Sequence, residues 1–294
     1  MTRKLPNWRS LLYVPTNRES FVARAHTRGA DAIILDLEDA IAPGEKAAAR
    51  GLLAAAVPRV RQPGPDGRGA DVVVRVNRAL RLAVADIDAA VAAGADALIL
   101  TKLLGADHVR LLDEHIGEAE ALAGRAAGSV RVIGLVESAE AIPQMDAICR
   151  ASARMVALGV GGEDLATDLG AEATPDALDL PKRLGIIAAR GAGILPTGFI
   201  GTVADITDLE GYRRVLRRSK TLGFACASCV HPSQVAIINE EYGEAPEAVA
   251  RARRMVAAFD EALARGVGAV SFEGQMIDEP VVARARQVFA RAVR

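Results

Sequence analysis

Residues 32–57, AIILDLEDAIAPGEKAAARGLLAAAV, decide the fold class, because they carry one strand and one helix back to back. AIILDLE is a short, nearly continuous apolar run, the mark of a buried strand, and EKAAARGLLAAAV sets small and apolar residues at helical spacing. Where the two meet, Asp36, Glu38 and Asp39 fall within four positions. Three like charges that close repel one another, and burying any of them unpaired costs several kcal/mol, a large part of a domain's net stability. Water or a cation must stand near them.

Working outward, the same alternation recurs along the chain. The other strand candidates are SLLYVP before this unit and DVVVRVN, ALILTK, VRVIGLVES, RMVALGVGGED, ILPTGFIG and FACASCV after it. Between them lie helical patterns such as FVARAHTRG, VADIDAAVAAG, HVRLLDEHIGEAEALAG, PKRLGIIAARGAG and LEGYRRVLRRSKTLG, several ending in the glycine that stops a helix. Alternating strands and helices predict an α/β fold with a parallel sheet. Eight strands is the count of a TIM (β/α)8 barrel, although an open doubly wound sheet uses the same alternation. RQPGPDGRGAD, residues 61–71, reads as a surface loop. After His231 the pattern changes to VAIINEEY, a long helix EAPEAVARARRMVAAFDEALARG, the short GAVSFEGQMIDEP and a terminal helix VVARARQVFARAVR. The division is therefore drawn as residues 1–235 for the barrel and 236–294 for a C-terminal helical extension. At ~1.5 Å per residue the long helix extends over ~30 Å, enough to carry the residues after it away from their own barrel.

Composition limits the partners. The chain has 294 residues, 51% hydrophobic, which suits one α/β barrel with a large core. Its 36 Lys and Arg against 37 Asp and Glu give a formal net charge of -1, so no footprint for nucleic acid or an anionic membrane appears and a small-molecule partner is expected. No apolar run reaches the ~18 residues of a membrane helix, and the start MTRKLPNWRS lacks the apolar core of a signal peptide, so a cytoplasmic location is expected. Three cysteines, Cys149, Cys226 and Cys229, argue against a disulfide framework. CASC lacks the second ligand pair of a zinc site, and its cysteines read as small apolar strand residues.

In a parallel barrel the carboxyl ends of the strands share one face, so polar residues there converge although they are far apart in sequence. In order they are Asp36, Glu38 and Asp39 after the second strand, Arg75 and Asn77 in the third, Lys102 after the fourth, Glu137 and Ser138 after the fifth, and Glu163 and Asp164 after the sixth. Carboxylates from separate strands without His or Cys are hard oxygen ligands suited to magnesium, and Glu137 and Asp164 are the best-placed pair. The plainer reading is that each caps a following helix. Arg75 inside VVVRVN needs a partner: either a carboxylate or developing enolate oxygen of a ligand, or a structural salt bridge to Asp36 or Glu38. In LGVGGED, the glycines let backbone approach a ligand ahead of a helix, but this is neither a dinucleotide fingerprint nor a Walker motif.

RSLLYVP, DLEDAIAPGEK with AAAR, VVRVN, LVESAEAI, GGEDLATDLG, VHPSQV and GQMID, in that order from Arg9 to about Asp278, resemble the citrate lyase beta-subunit-like proteins, the CoA-ester lyases of the HpcH/HpaI aldolase superfamily. Each motif is weak alone; seven in order are specific. The resemblance implies a TIM barrel with a C-terminal extension that serves oligomerisation and completes a neighbouring active site. It also implies homotrimers or dimers of trimers, and one Mg²⁺, or Mn²⁺ in its place, per site. Carried over by position, Glu137 and Asp164 match the metal ligands and Arg75 the substrate-binding arginine, with Gly161, Gly162 and Glu163 beside the substrate. Asp278 matches a catalytic aspartate given by a neighbouring subunit. Asp36, Glu38 and Asp39 then stand behind the metal, holding water and Arg75. The chain departs from the pattern at Cys226 and Ala227, where Gly-Lys is common before His-Pro, at Thr101 in place of proline, and at Gln275 in place of lysine. These departures bear on CoA affinity and acyl specificity.

The function these readings imply is a magnesium-dependent carbon–carbon lyase. It would cleave, or form by Claisen condensation, a 3-hydroxyacyl-CoA of malyl-CoA, citramalyl-CoA or citryl-CoA type, with an acyl-CoA and a 2-oxoacid as the other side of the reaction. The alternatives are a thioesterase on the same ligands, or a citrate lyase beta subunit acting on an acyl-carrier-protein thioester.

Overall fold

The computed structural model describes residues 5–201 and 208–292. Eight parallel strands, β1 (Ser10–Pro15), β2 (Ala32–Asp36), β3 (Asp71–Val76), β4 (Ala97–Leu100), β5 (Arg131–Val136), β6 (Met155–Val160), β7 (Leu195–Thr197) and β8 (Ala227–Cys229), lie in the order β7-β6-β5-β4-β3-β2-β1-β8. The ends of that row meet. Thr197 bridges Cys226 in parallel, Gly198 N–H donates to Cys226 O at 2.8 Å, and Ala225 N–H donates to Pro196 O at 2.9 Å. The sheet is therefore a closed barrel with surrounding helices, not an open doubly wound sheet.

Every residue of β2 and β4 is buried, as expected for strands covered on both faces. Side chains alternate along each strand, and one set of alternate positions fills the interior: Leu11, Ile34, Val73, Ile99, Ile133 and Ala157 form one packed cluster. Two residues further along the same faces come Tyr13, Asp36, Arg75, Leu135 and Gly159, and two further again come Glu137 and Gly161. The period of two that builds the apolar core thus raises a polar layer above it. Beneath the core, Trp8 closes the other end, its indole N–H donating to Asp71 at 2.8 Å with the Arg131 guanidinium over its ring at 5.3 Å.

A buried carboxylate network lies at that lower face. Glu120, fully buried near the end of helix Ala106–Leu122, accepts from Val130 N–H at 2.7 Å, Gly128 N–H at 2.8 Å and both terminal nitrogens of Arg154 at 2.7 Å. One carboxylate so ties a helix to the entries of β5 and β6. Burial alone would raise its pKa, but the Arg154 fork and the two backbone donors overcome burial and hold it at about 2. A depressed carboxyl stabilises the fold fully above its unfolded value of ~4.3, and that stabilisation is lost as pH falls toward 2. The contribution at neutral pH is on the order of 3 kcal/mol. Urea titrations across pH 7 to 2 are expected to show a steep loss of stability below pH ~5 in the wild type and a flatter profile, from a lower start, in Glu120→Gln. Parallel profiles would remove Glu120 from this role.

The chain divides into two compact units after Asn239. Asn239 itself belongs to the barrel: it accepts from Ser10 Oγ at 2.7 Å and donates to Gly29 O at 2.8 Å. In the second unit, helices Pro246–Ala264 and Glu279–Ala292 enclose a core of Met255, Phe259, Ile277 and Val282. The first of these has 19 residues, about 28 Å, shorter than the sequence pattern implies because it starts only at Pro246 and stops at Ala264. The segment read as one short stretch is a hairpin of β9 (Ala269–Phe272) and β10 (Gln275–Asp278), paired antiparallel. Its two-residue turn places Glu273 at φ 46° and Gly274 at φ 79°, and Arg251 and Arg254 each hold the Glu273 carboxylate at 2.8 Å.

Candidate active site

A cavity of about 730 Å³ opens at the carboxyl ends of the barrel strands. Asp36, Asp39, Arg75, Glu137, Glu163 and Asp164 all line it, with Gly161 and Gly162 in its wall. Asp36 and Arg75 are direct partners in the β2–β3 register, and this makes the guanidinium fork fit: Nε donates to Asp36 Oδ1 at 2.7 Å and Nη2 to Oδ2 at 2.6 Å. Nη1 lies 2.9 Å from Glu38 Oε2 and 3.3 Å from Asp39 Oδ2. The Tyr13 ring supports the guanidinium from one face, 4.8 Å from Cζ to the ring centroid. The salt bridge weighed from sequence therefore exists, and it orients Arg75 rather than removing it from the cavity, which it still lines.

Asp36 in turn accepts Glu38 N–H at 2.9 Å and Ala40 N–H at 3.3 Å, so the turn that carries the acidic cluster is built around its carboxylate. Glu38 is buried beneath the cavity. Burial raises its pKa against the pull of Arg75 and Lys102.

Glu137 does not cap the helix that follows it. Its Oε2 accepts the backbone N–H of Lys102 at 2.9 Å, while the donor at the following turn, Ala139 N–H, goes to Asp168 at 2.7 Å. The carboxylate is 7% exposed. Burial, with the nearby charges of Glu38 and Asp164, pushes its pKa up to about 7 against the pull of that backbone donor. Gly161 is required here, since a Cβ at that position would collide with the Glu137 carboxylate. Asp164 sits in the first turn of helix Gly162–Leu169, where a negative charge suits the helix dipole.

Lys102 is the residue the sequence reading located but gave no role. It is a non-glycine residue at φ 50°, a left-handed conformation that costs of order 1 kcal/mol or more. In that conformation its backbone N–H meets Glu137 while its ammonium stands 2.9 Å from Glu38, 3.5 Å from Asp39 and 3.5 Å from Asp164. One residue thereby spans both best-placed carboxylates, and no sequence signal marks a lysine for that backbone state.

Four carboxylates, Asp36, Glu38, Asp39 and Asp164, thus share the two cations Arg75 and Lys102, and Glu137, a fifth, takes only a backbone N–H. That excess suits a hard divalent cation. Glu137 and Asp164 offer oxygen donors in one cavity, and Gly161 leaves space beside the first. Among the described residues no three His, Cys, Asp or Glu side chains form a ready ligand cage, so the fit is to an ion that takes two carboxylates and fills its octahedron with water and ligand oxygens. Cys226 and Cys229 play no part: both are buried, and burial pushes their thiols up to about 12. Asp278 lies in the second unit at the end of β10, exposed, with Oδ1 accepting Val281 N–H at 3.3 Å. No helix among the described residues is long and apolar enough to cross a membrane.

Residues 9–232 match the model of the HpcH/HpaI aldolase/citrate lyase family. The chain is 34% identical over 287 residues to citrate lyase subunit beta of Leuconostoc mesenteroides subsp. cremoris, covering 97% of this chain and 93% of the relative. It is 31% identical over 295 residues to a (3S)-malyl-CoA thioesterase of Cereibacter sphaeroides, covering 99% and 97%. Among solved structures, the CitE protein of Mycobacterium tuberculosis in complex with magnesium, acetoacetate and coenzyme A superposes with a TM-score of 0.76 at 29% identity, covering the whole of both chains.

Proposed function

This chain belongs to the HpcH/HpaI aldolase/citrate lyase family, and on that premise we propose that it is a magnesium-dependent carbon–carbon lyase acting on a 3-hydroxyacyl-CoA thioester of malyl, citramalyl or citryl type. The observation that carries the reading is the meeting, in one cavity, of Glu137 and Asp164 with a guanidinium held in place by Asp36, Glu38 and Asp39. The magnesium and coenzyme A bound by the CitE relative agree with that chemistry.

Glu137 and Asp164 would hold Mg²⁺, with Lys102 fixing the first through its N–H and steadying the second through its ammonium. Bound there, the ion would supply Lewis-acid stabilisation of the substrate's alkoxide oxygen, the charge that is present before the carbon–carbon bond breaks and that builds on the keto oxygen when it forms. Arg75 gives a fixed donor to the thioester oxygen, which becomes an enolate oxygen; a donor already oriented by its carboxylates needs little reorganisation at that moment. On cleavage the substrate hydroxyl would give its proton to solvent water while Asp278 delivers one to the acyl carbon; in the condensation direction Asp278 removes that proton and the alkoxide takes one from water. We assign Asp278 to the site of a neighbouring subunit in a homotrimer or dimer of trimers. Gly161, Gly162 and Glu163 would line the substrate's path, and the cytoplasm is the expected place of action.

Product analysis tests the reading. With malyl-, citramalyl- and citryl-CoA and added Mg²⁺, the lyase is expected to release a 2-oxoacid and an acyl-CoA in equal amounts, with no free thiol. The 31% identical malyl-CoA thioesterase relative is the reason to measure thiol as well. Free CoA with no oxoacid would replace the lyase by a thioesterase, and turnover only of an acyl-carrier-protein thioester would make the chain a subunit of a larger complex.

A further inference from the structure

One buried cation in the cavity wall lacks the carboxylates that hold Arg75. Lys182, on helix Pro175–Gly191, is 6% exposed and lines the cavity. Its ammonium donates to Phe199 O at 2.8 Å and to Gly201 O, and lies 5.5 Å from the Phe199 ring centroid. Among the described residues no carboxylate comes within salt-bridge distance of it. Glu163, an exposed residue of the same cavity, pulls its pKa upward from a distance. Arg75 and Lys102, by contrast, are each held by three carboxylates.

Packing explains how a helix residue reaches the mouth. Gly185 stands so close to β6 that a Cβ there would lie 2.9 Å from Val160 Cγ2, and Lys182, one turn earlier, is carried over the ends of β6 and β7. The residues immediately after those strands are Gly161 to Asp164 and Gly198 to Gly201, so the ammonium stands beside the wall that carries one of the two carboxylates assigned to the metal. Two carbonyls can be tied by a neutral amide. An ammonium buried without a counter-ion is costly, and burial pushes this one down to about 8, so it is still largely charged at neutral pH.

We propose that Lys182 receives a second carboxylate of the substrate, so that the enzyme favours thioesters whose cleavage releases a dicarboxylic 2-oxoacid over those that release a monocarboxylic one. The inference rests on the lyase reading above. The keto or hydroxyl oxygen and its neighbouring carboxylate would go to the metal, and a further carboxylate needs a cation that is not already paired. Arg24 and Arg28 also line the cavity without a carboxylate partner among the described residues but are exposed to solvent, and Lys182 is the buried one. An ammonium keeps a third N–H after serving two carbonyls.

Oxaloacetate and pyruvate differ by that one carboxylate, as do the thioesters that would release them, citryl-CoA and citramalyl-CoA. Calorimetry on the magnesium-loaded protein is expected to show oxaloacetate binding at least tenfold more tightly than pyruvate. In Lys182→Gln, which keeps N–H donors for the Phe199 and Gly201 carbonyls, that preference should fall at least tenfold, and Lys182→Arg should restore most of it. The citryl to citramalyl ratio of kcat/KM should follow the same order. A wild-type preference below twofold overturns the proposal without any variant, and so does an undiminished ratio in Lys182→Gln, which would make Lys182 a tie between helix and loop. If no thioester is cleaved but the oxoacid preference depends on Lys182, the lyase reading fails and this one stands. Cleavage with a ratio that Lys182 does not move gives the reverse.

Discussion

Glu137→Gln and Asp164→Asn are each expected to lower kcat/KM by roughly 10³-fold, because the cation they would hold contributes several kcal/mol to the developing oxygen charge and each decade of rate is about 1.4 kcal/mol. Magnesium gives up its waters reluctantly and leans on few protein ligands, so losing one of two carboxylates should weaken its binding at least tenfold by calorimetry. The amide variant separates two explanations for Glu137. If the side chain serves only to accept Lys102 N–H at 2.9 Å, glutamine still offers a carbonyl oxygen there and little should change. If it is a metal ligand, the lost charge is the whole effect. Unchanged magnesium binding in both variants, or full wild-type activity in excess chelator, would end the assignment.

How much of this could be read in the chain depends on the range of each contact. The alternation of strand and helix is local, and so is the period of two that puts Val73 in the core and Arg75 above it. Those carried the strands and most of the polar layer. The Asp36–Arg75 fork needed the register of β2 on β3, which a hydrophobic pattern makes plausible but does not set by itself. Closure into a barrel needed Thr197 to meet Cys226 across a helix, a non-local pairing that leaves no mark on either segment. The left-handed backbone at Lys102 was hidden for a different reason: lysine is not a residue that favours it, and only the contacts on both sides of Lys102 hold it there. The hairpin turn at Glu273 and Gly274 escaped for the same cause, since Glu-Gly is a weaker turn signal than Asn-Gly or Asp-Gly. Lys182 reads from sequence as one more charge on an amphipathic helix. Its place in the cavity wall depends on non-local contacts, the close approach of Gly185 to Val160 and the carbonyls of Phe199 and Gly201.

Asp278→Asn is expected to lower turnover by roughly 10²- to 10⁴-fold, the range a general acid or base supplies. The amide keeps an oxygen to accept Val281 N–H, now 3.3 Å from Oδ1, so the start of the last helix is preserved while the proton-transferring group is lost. That conservatism matters, because the plainest reading of Asp278 is a helix cap and nothing more. A cap-only role predicts near-normal turnover in the asparagine variant, which caps as well as aspartate does. The same variant tests whether the site is shared between subunits. Glu137→Gln and Asp278→Asn chains, each nearly inactive alone, should regain partial activity when co-assembled, since a mixed oligomer contains some sites with an intact metal pair from one subunit and an intact Asp278 from another. The metal-ligand variant cannot be rescued by its own Asp278 if that residue serves a neighbour, nor can the Asp278 variant be rescued by its own metal pair, so recovery requires exchange across the interface. If mixed oligomers are verified by mass and no activity returns, a catalytic Asp278 must act within its own chain.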